Sequence, residues 1–355
     1  MVRTSTARDS NRRVHNTELR RAVRRLRRKL FALDVAVLDI SKYSKEYLVA
    51  SRANGAAQLN VFADILAETL KGRLTWGDAT IVDYGGGNGL IALLAREAGI
   101  GGVIYNDIFE GSCTDARTIA GKLGLQADDY VPGDLEDLIR YLGDKAITVH
   151  GLCSYDVIEH VYAIEPFLRE MPRVTKGPLR IVMASAANDR NPRIRRRLME
   201  VQRRVEHEDG VGLEGRDSLR AYRAMRADII TRYAPELDGA DVTTLADETR
   251  GLTEPGIRKA VDRFREAGTH PATLAHPTNT CDPITGNWAE HLMDPFALAA
   301  ELSRAGMRAS VEPGRYGFYQ GLRGAIALPL NLLIAVLGER GLMLAPHYVL
   351  IGERP

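Results

Sequence analysis

Cysteine is scarce in this 355-residue chain: Cys113, Cys153 and Cys281, with no C-x-x-C spacing. That excludes a disulfide framework and a cysteine-based zinc site, and it suits buried thiols in a reducing, cytosolic (cytoplasmic) compartment. Aromatic residues make up only 6% of the sequence and do not interleave with its arginines, which counts against a base-stacking track for single-stranded nucleic acid. A membrane-spanning helix needs about 20 apolar residues, and the stretch from Ala325 to Gly338 offers about 14, contains Pro329 and stops at Glu339-Arg340. It reads as a buried helix or an oligomer contact, so no transmembrane segment is expected, although peripheral membrane contact remains open. The apolar run after Lys29 is broken by Asp34 and Asp39, so no signal peptide is expected. Internal repeats and low-complexity tracts are also lacking.

The composition that is present, 45% hydrophobic and 26% charged, is that of a globular protein large enough for a core domain with additions. A net charge of +2 conceals an asymmetry. Residues 1–29 hold eleven Lys/Arg against Asp9 and Glu18, which leaves the rest of the chain acidic. Within and just beyond that basic segment, Leu19, Val23, Leu26, Leu30, Leu33 and Val37 recur at spacings of four and three, with arginines between them. This period predicts an amphipathic helix. It can pack on the core with its arginine face solvated, or adhere to anionic lipid or nucleic acid.

Farther along, β-branched runs alternate with helical patterns. Strands are expected at Thr80–Tyr84, Val103–Asn106, Ala127–Val131, Ile147–Ser154 and Leu179–Ser185, with helices near 90–98, 113–123, 134–142 and 160–172. The rhythm implies an α/β fold: a doubly wound, Rossmann-like sheet covered by helices on both faces. Four segments are expected: a basic helical region at 1–78, a nucleotide-binding core at 79–188, a helical cap insertion at 189–275, and at 276–355 a polar loop followed by a return to the sheet at Arg308–Val311 and His347–Ile351.

The richest stretch is Ile81-Val82-Asp83-Tyr84-Gly85-Gly86-Gly87-Asn88-Gly89, an apolar strand ending in an acid and then glycines at every second position. Such a turn bares backbone N–H groups at the start of the helix that follows. A dinucleotide fingerprint, G-x-G-x-x-G counted from Gly85, would need glycine at Leu90 and fails. Asp83, Gly85, Gly87 and Gly89 instead form D-x-G-x-G-x-G, which resembles motif I of the class I S-adenosylmethionine (SAM) methyltransferases. The resemblance implies SAM as cofactor and a sheet whose last strand runs antiparallel. Asp83 would then meet the methionine amino group. Asp107, about 20 residues beyond the glycines, can accept both ribose hydroxyls, though it is also a candidate helix cap. Asp134, followed by Leu135, matches the position that accepts the adenine amino group and is equally a plausible cap.

Asp156-Val157-Ile158-Glu159-His160-Val161 resembles the segment after strand four in methyltransferases related to the ubiquinone-biosynthesis O-methyltransferases, and adds Asp156 to the cofactor set. In that light His160 is the candidate general base and Tyr155 a pocket residue beside the methyl group. Asp156, Glu159 and His160 stand at i, i+3 and i+4, so on a helical turn they would converge on Mg2+, as in the E-x-x-E-H arrangement of some of these enzymes and of small-RNA 2′-O-methyltransferases. His207 is a further possible ligand.

The stretch 276–291 is dense in turn formers and hydrogen-bonding side chains, and Asn279, Asp282, Asn287, Trp288 and His291 are the substrate candidates. Its Asx and proline turns offer the alternative of a loop that satisfies itself. So many amides and acids suit a polar small molecule or saccharide, methylated on oxygen. Two rivals stand beside that reading. One is a nucleic-acid methyltransferase of the RNA 2′-O type that grips phosphates through residues 12–28 and Arg193, Arg195, Arg196, Arg197, Arg203 and Arg204. The other is a catalytically silent scaffold with the same fold. The oligomeric state cannot be read from the residues.

Overall fold

The computed structural model describes residues 3–73, 75–211, 218–271, 274, 276–318 and 320–355, with backbone alone for 3–14, 16 and 54. It divides into two compact units: residues 1–157, 165–186 and 295–355 form the first, and residues 158–164 and 187–294 the second.

The first unit begins with helices α1 (Arg3–Ala32), α2 (Lys42–Asn54) and α3 (Ala56–Thr69). In α1, Leu19, Ala22, Val23, Leu26 and Leu30 are buried, so the core-packed reading of this helix holds. Arg25 and Lys29 from its polar face bind Glu97 at 2.6 and 2.7 Å. Val37 departs from the predicted stripe: the helix has ended and its side chain is exposed. Then follow β1 (Thr80–Tyr84), α4 (Leu90–Glu97), β2 (Gly102–Asp107), α5 (Glu110–Leu123), β3 (Asp129–Pro132), α6 (Leu135–Asp144), β4 (Gly151–Tyr155), α7 (Ile164–Glu170) and β5 (Leu179–Ser185). Residues Leu90 to Ala95 of α4 are all buried, as expected of a helix that is apolar on every side. The strand expected from Ile147 starts only at Gly151, and just before it the His150 ring accepts from the amide of Thr80 (Nδ1 at 3.0 Å).

Four helices of the second unit come next: α8 (Pro192–His207), α9 (Tyr222–Tyr233), α10 (Gly239–Glu248) and α11 (Glu254–Ala267). Ile229, Ile230, Leu245, Ile257 and Val261 form their small core. Beside it lies a fully buried Arg226, whose guanidinium binds the equally buried Glu206 and donates from Nε to the Ala246 carbonyl at 2.8 Å. Thr280 and Arg250 complete the ring around Glu206. Burial alone would raise the Glu206 pKa, but hydrogen bonds from Arg226 and Thr280 and the charges of Arg226 and Arg250 hold it below the usual carboxylate value.

The chain then re-enters the first unit with α12 (Pro295–Arg304), β6 (Arg308–Pro313), α13 (Gly321–Leu337) and β7 (Tyr348–Arg354). The strand order is β3-β2-β1-β4-β5-β7-β6. β1 to β5 are mutually parallel, and β7 runs antiparallel between β5 and β6. β1 and β2 are buried on both faces, which is why they read as continuous apolar runs. The order reverses between β1 and β4, and in an open α/β sheet that switch point opens a crevice at the carboxyl ends of the strands.

The stretch 325–338 contradicts the expectation of a buried helix. α13 buries only Gly324, Ala327, Asn331 and Ile334, and most of its large apolar side chains are exposed. With the 3-10 turn at Gly338–Met343 it also runs longer than its apolar core suggested, and by length and composition alone Gly321–Met343 is long enough to cross a membrane.

Candidate functional site

Leaving β1, the chain must turn into α4 within five residues, and it does so with positive φ at Gly85 (63°) and Gly87 (52°). At Gly85 a Cβ would lie 2.7 Å from Val157, so the backbones there touch. At Gly87 a Cβ would meet nothing within 4 Å. One side of the turn is therefore packed on protein, and the other presents bare backbone to open space, the condition for a ligand to lie against it. Gly89, also at positive φ, precedes the first turn of α4.

Two carboxylates converge on this turn. Asp107, at the end of β2, accepts from the Gly87 amide through Oδ2 and from the Phe109 amide through Oδ1, both at 3.0 Å. Each oxygen keeps a second lone pair for a ligand. Asp83, in β1, is almost wholly buried, and its Oδ2 accepts from the Ala92 amide at 2.9 Å. Its Oδ1 has no hydrogen-bond partner among the described residues. Burial, reinforced by the charge of Asp107 and opposed by the Ala92 N–H, pushes the Asp83 pKa up to about 7. A buried carboxylate with one unsatisfied oxygen is costly unless something cationic or hydrogen-donating meets it.

Around the same crevice, Asp134 caps α6: its Oδ1 accepts from the amides of Glu136 and Asp137 at 2.9 and 3.1 Å, and Asp137 answers on the Asp134 amide. The capping alternative is thus realised at Asp134, with Leu135 buried beside it. Asp156, just past β4, adopts positive φ (54°), and its Oδ1 accepts from the Ala186 amide at 2.7 Å. Tyr155 lies edge-on to Phe62 (5.3 Å) and to His347 (5.9 Å).

The sequence reading missed α2. Ser41 caps this helix, and its hydroxyl and amide both donate to the buried Asp115 of α5, while Asn88 Nδ2 donates to the Ser44 carbonyl at 2.9 Å. These bonds hold α2 over the glycine turn and bring Tyr43 and Tyr47 to the crevice. Tyr47 is half-buried, accepts from Gln58 Nε2 at 2.9 Å, and has its pKa raised by burial and then by the charge of Asp156, with a smaller contribution from Asp83. Nothing but the i, i+4 tyrosine pair could have flagged this helix, and that spacing also describes an ordinary packed face.

The predicted metal site is not formed. Asp156 belongs to the first unit, and its carboxylate is turned onto Ala186, whereas Glu159 and His160 sit in a 3-10 turn, Ile158–His160, of the second unit. The helical i, i+3, i+4 geometry that convergence required is absent, because the positive φ at Asp156 breaks it. Among the described residues no group of three or more His, Cys, Asp or Glu could hold a metal ion, and His207 is exposed at the end of α8.

The second unit holds the remaining candidates. His160 Nδ1 lies 2.8 Å from the Trp288 carbonyl. A carbonyl only accepts, so Nδ1 carries the proton and, in the neutral ring, Nε2 is left as the basic nitrogen. Trp288 is stacked between Tyr162 (5.7 Å) and His291 (4.1 Å), and its Nε1 donates to the Tyr162 carbonyl. Burial, helped by the charge of His276, lowers the His291 pKa to about 4, which keeps this ring neutral at physiological pH. Asn279 and Asp282 are engaged by the loop itself. Asn279 Oδ1 accepts from Gln202 and from the Leu292 amide, and Asp282 accepts from the amides of Ile284, Thr285 and Ser218. Asn287 is half-buried, and its carbonyl accepts from the Asp282 amide at 2.9 Å to close the turn.

No curated protein sequence matches the chain. Among solved structures, a SAM-dependent methyltransferase from Archaeoglobus fulgidus is 16% identical, over 87% of this chain and 99% of its own, with a TM-score of 0.38. One from Mesorhizobium loti is 15% identical, over 85% and 99%, at 0.40. SMU.776, solved with S-adenosylhomocysteine (SAH), is 11% identical over 40% of this chain, which spans only 38% of that protein's length, at 0.31. Likeness this low carries no weight beside the motif and the strand order. Residues 82–178 match the family described as a methyltransferase domain. Glycine turn, strand order and family match agree in marking residues 82–178 as a methyltransferase domain.

Proposed function

We propose that this chain transfers the methyl group of SAM to an oxygen of a polar small molecule or saccharide. The observation that carries the cofactor half is the unsatisfied Oδ1 of buried Asp83, beside a glycine turn open on one side. An ammonium group supplies the missing donor and the missing charge together. The fit extends to the rest of the cofactor: Gly85, Gly87 and Gly89 bare the backbone, Asp107 has lone pairs for the ribose hydroxyls, and Asp134 and Leu135 stand at the adenine end, with Asp156 and Tyr155 across the crevice. SAM supplies an electrophilic methyl group on a sulfonium.

Methyl transfer is an in-line displacement: the acceptor oxygen forms the new C–O bond as the C–S bond breaks, and the sulfur keeps the bonding pair. Its demands on the protein are orientation, exclusion of water and removal of the acceptor proton. His160 is the proposed base, taking that proton on Nε2 while the Trp288 carbonyl holds Nδ1–H. Trp288, held between Tyr162 and His291, braces Tyr162, the exposed aromatic ring left to meet the apolar face of a sugar, with Asn287 as a hydrogen-bonding neighbour. Asn279 and Asp282 serve by shaping the loop. Arg195, Arg203 and Arg204 are paired with Asp189, Glu200 and Glu208, which weakens the case for a phosphate-gripping surface on α8.

The test is a calorimetric titration with SAH on wild-type protein and on Asp107→Ala, followed by an acceptor screen that starts with saccharides. Saturable binding that weakens in the variant is expected. Folded wild-type protein that fails to bind SAH would overturn the assignment and favour a scaffold role.

A further inference from the structure

Surface helices turn their large apolar side chains inward. α13 does the reverse. At about 100° per residue, its buried positions Gly324, Ala327, Asn331 and Ile334 occupy an arc of only about 80°, and its outward apolar positions sweep about 180°. The inner face is small or polar, and Asn331 pins it by exchanging hydrogen bonds with the backbone of Tyr316 (2.9 Å each way). The outer face carries Leu322, Leu332 and Val336, which are 81%, 66% and 76% exposed, together with Ile326, Leu328 and Leu333. Isolated exposed leucines need no explanation, but a continuous patch of this kind marks a binding surface.

Charge identifies the occupant. From Gly314 to Gly338 the chain has no acid, and its only charged residues are Arg315 and Arg323, both exposed; Arg340 follows beyond Glu339. Arg323 stands over the Phe318 ring at 5.5 Å. An apolar ridge bordered by cations complements an anionic lipid surface, with the side chains in the acyl boundary and the arginines at the phosphates. The patch is also strongly convex, and a fluid bilayer closes around such a ridge more completely than a second copy presenting the same convex face. A span is excluded by the anchoring: Asn331 ties one face to protein, and the segment leaves and rejoins the sheet at Pro313 and Tyr348, which pair with each other.

Those tie points place the helix. β6 is parallel to β1, β4 and β5, so Pro313 lies at the edge where those strands end, and Tyr348 pairs with Ser185, the last residue of β5. The glycine turn follows β1 at this same edge, and Tyr155 meets His347 there. We propose that α13 docks the protein on an anionic bilayer through Leu322, Ile326, Leu332, Leu333 and Val336, with Arg315 and Arg323 on the headgroups, and holds the cofactor edge of the sheet against the lipid surface. That the acceptor is one presented by the membrane rests on the function proposed above; the docking does not.

The test is co-sedimentation of the full chain with vesicles of phosphatidylcholine alone or mixed equally with phosphatidylglycerol, alongside light scattering for mass and calorimetry with SAH. Wild-type protein should sediment with the mixed vesicles and much less with the neutral ones. Leu332→Glu/Val336→Glu should lower partitioning by at least about tenfold and Arg315→Gln/Arg323→Gln severalfold, with SAH affinity unchanged in both. The arginine pair decides if the glutamate pair fails to fold. Protein that ignores both vesicles, or a wild-type dimer that the glutamate pair converts to monomer, would overturn the proposal. Vesicle binding by a protein that does not bind SAH would overturn the methyltransferase reading and leave the docking standing.

Discussion

The buried carboxylate of Asp83 makes cofactor affinity depend on pH in a way that can be worked out in advance. In the free protein its pKa stands at about 7, raised by burial and by Asp107, so the group is largely protonated at pH 5 and largely ionised at pH 8. The ammonium of SAH, facing Oδ1, favours the ionised form. Binding below pH 7 must therefore release a proton, and apparent affinity should climb as pH rises toward 7 and level off above it. If the bound form is ionised throughout, pH 5 lies two units below this pKa, which amounts to about a hundredfold in Kd against the plateau above pH 8, or about 2.7 kcal/mol. Calorimetry at several pH values, in buffers of different ionisation enthalpy, reads both the affinity and the proton released. Asp83→Asn should bind more weakly at pH 8 and lose the pH dependence between 5 and 8. A wild-type Kd that is flat over this range, or proton uptake on binding, would refute the assignment of Asp83 to the amino group. The same shift has a sign for stability. Because the folded-state pKa lies above the unfolded value, the ligand-free protein should lose stability as pH rises from about 4 through 7, a loss that SAH should offset.

Other consequences follow from single contacts. Gly87→Val should abolish measurable SAH binding in calorimetry, since its side chain would occupy the open side of the turn, while positive φ adds about 1–2 kcal/mol of strain seen as a lower Tm. His160→Ala should leave the SAH Kd unchanged and reduce turnover by about 10²–10⁴-fold on any acceptor found; a folded variant with full activity would remove His160 from the mechanism. Arg226→Leu strands a buried Glu206 and should destabilise the α8–α11 unit by about 3–5 kcal/mol in denaturant titrations. Since the folded-state pKa of Glu206 is depressed, the stability that this carboxylate contributes should be present above the unfolded value and be lost as pH falls through its folded value.

Much of the first unit is legible in its residues because the signals are local. Apolar β-branched runs, a glycine turn and a C-terminal return to the sheet encode strands whose neighbours follow from connection rules, and β1 and β5 fall where the pattern puts them. The α8–α11 region reads as helical from its Arg- and Glu-rich composition and its lack of strand patterns. The failures share a cause. Asp156, Glu159 and His160 look like ligands on one helical turn, but the backbone at Asp156 takes positive φ, and only the pull of the Ala186 amide on its carboxylate makes that visible. Asn279 and Asp282 resemble binding residues because a polar side chain carries no mark of whether its partner is a ligand or its own loop. α13 reads as core because apolar composition implies burial, yet Gly324 and Asn331 face inward and leucines face out. The sequence by itself thus determined the nucleotide-binding turn, the alternation of strands and helices and the acids at the strand ends, all set by neighbours a few residues apart. Only the tertiary structure decided which oxygen of Asp83 is unsatisfied, that α2 covers the glycine turn, and which side of α13 meets solvent, because each depends on contacts between residues far apart in the chain.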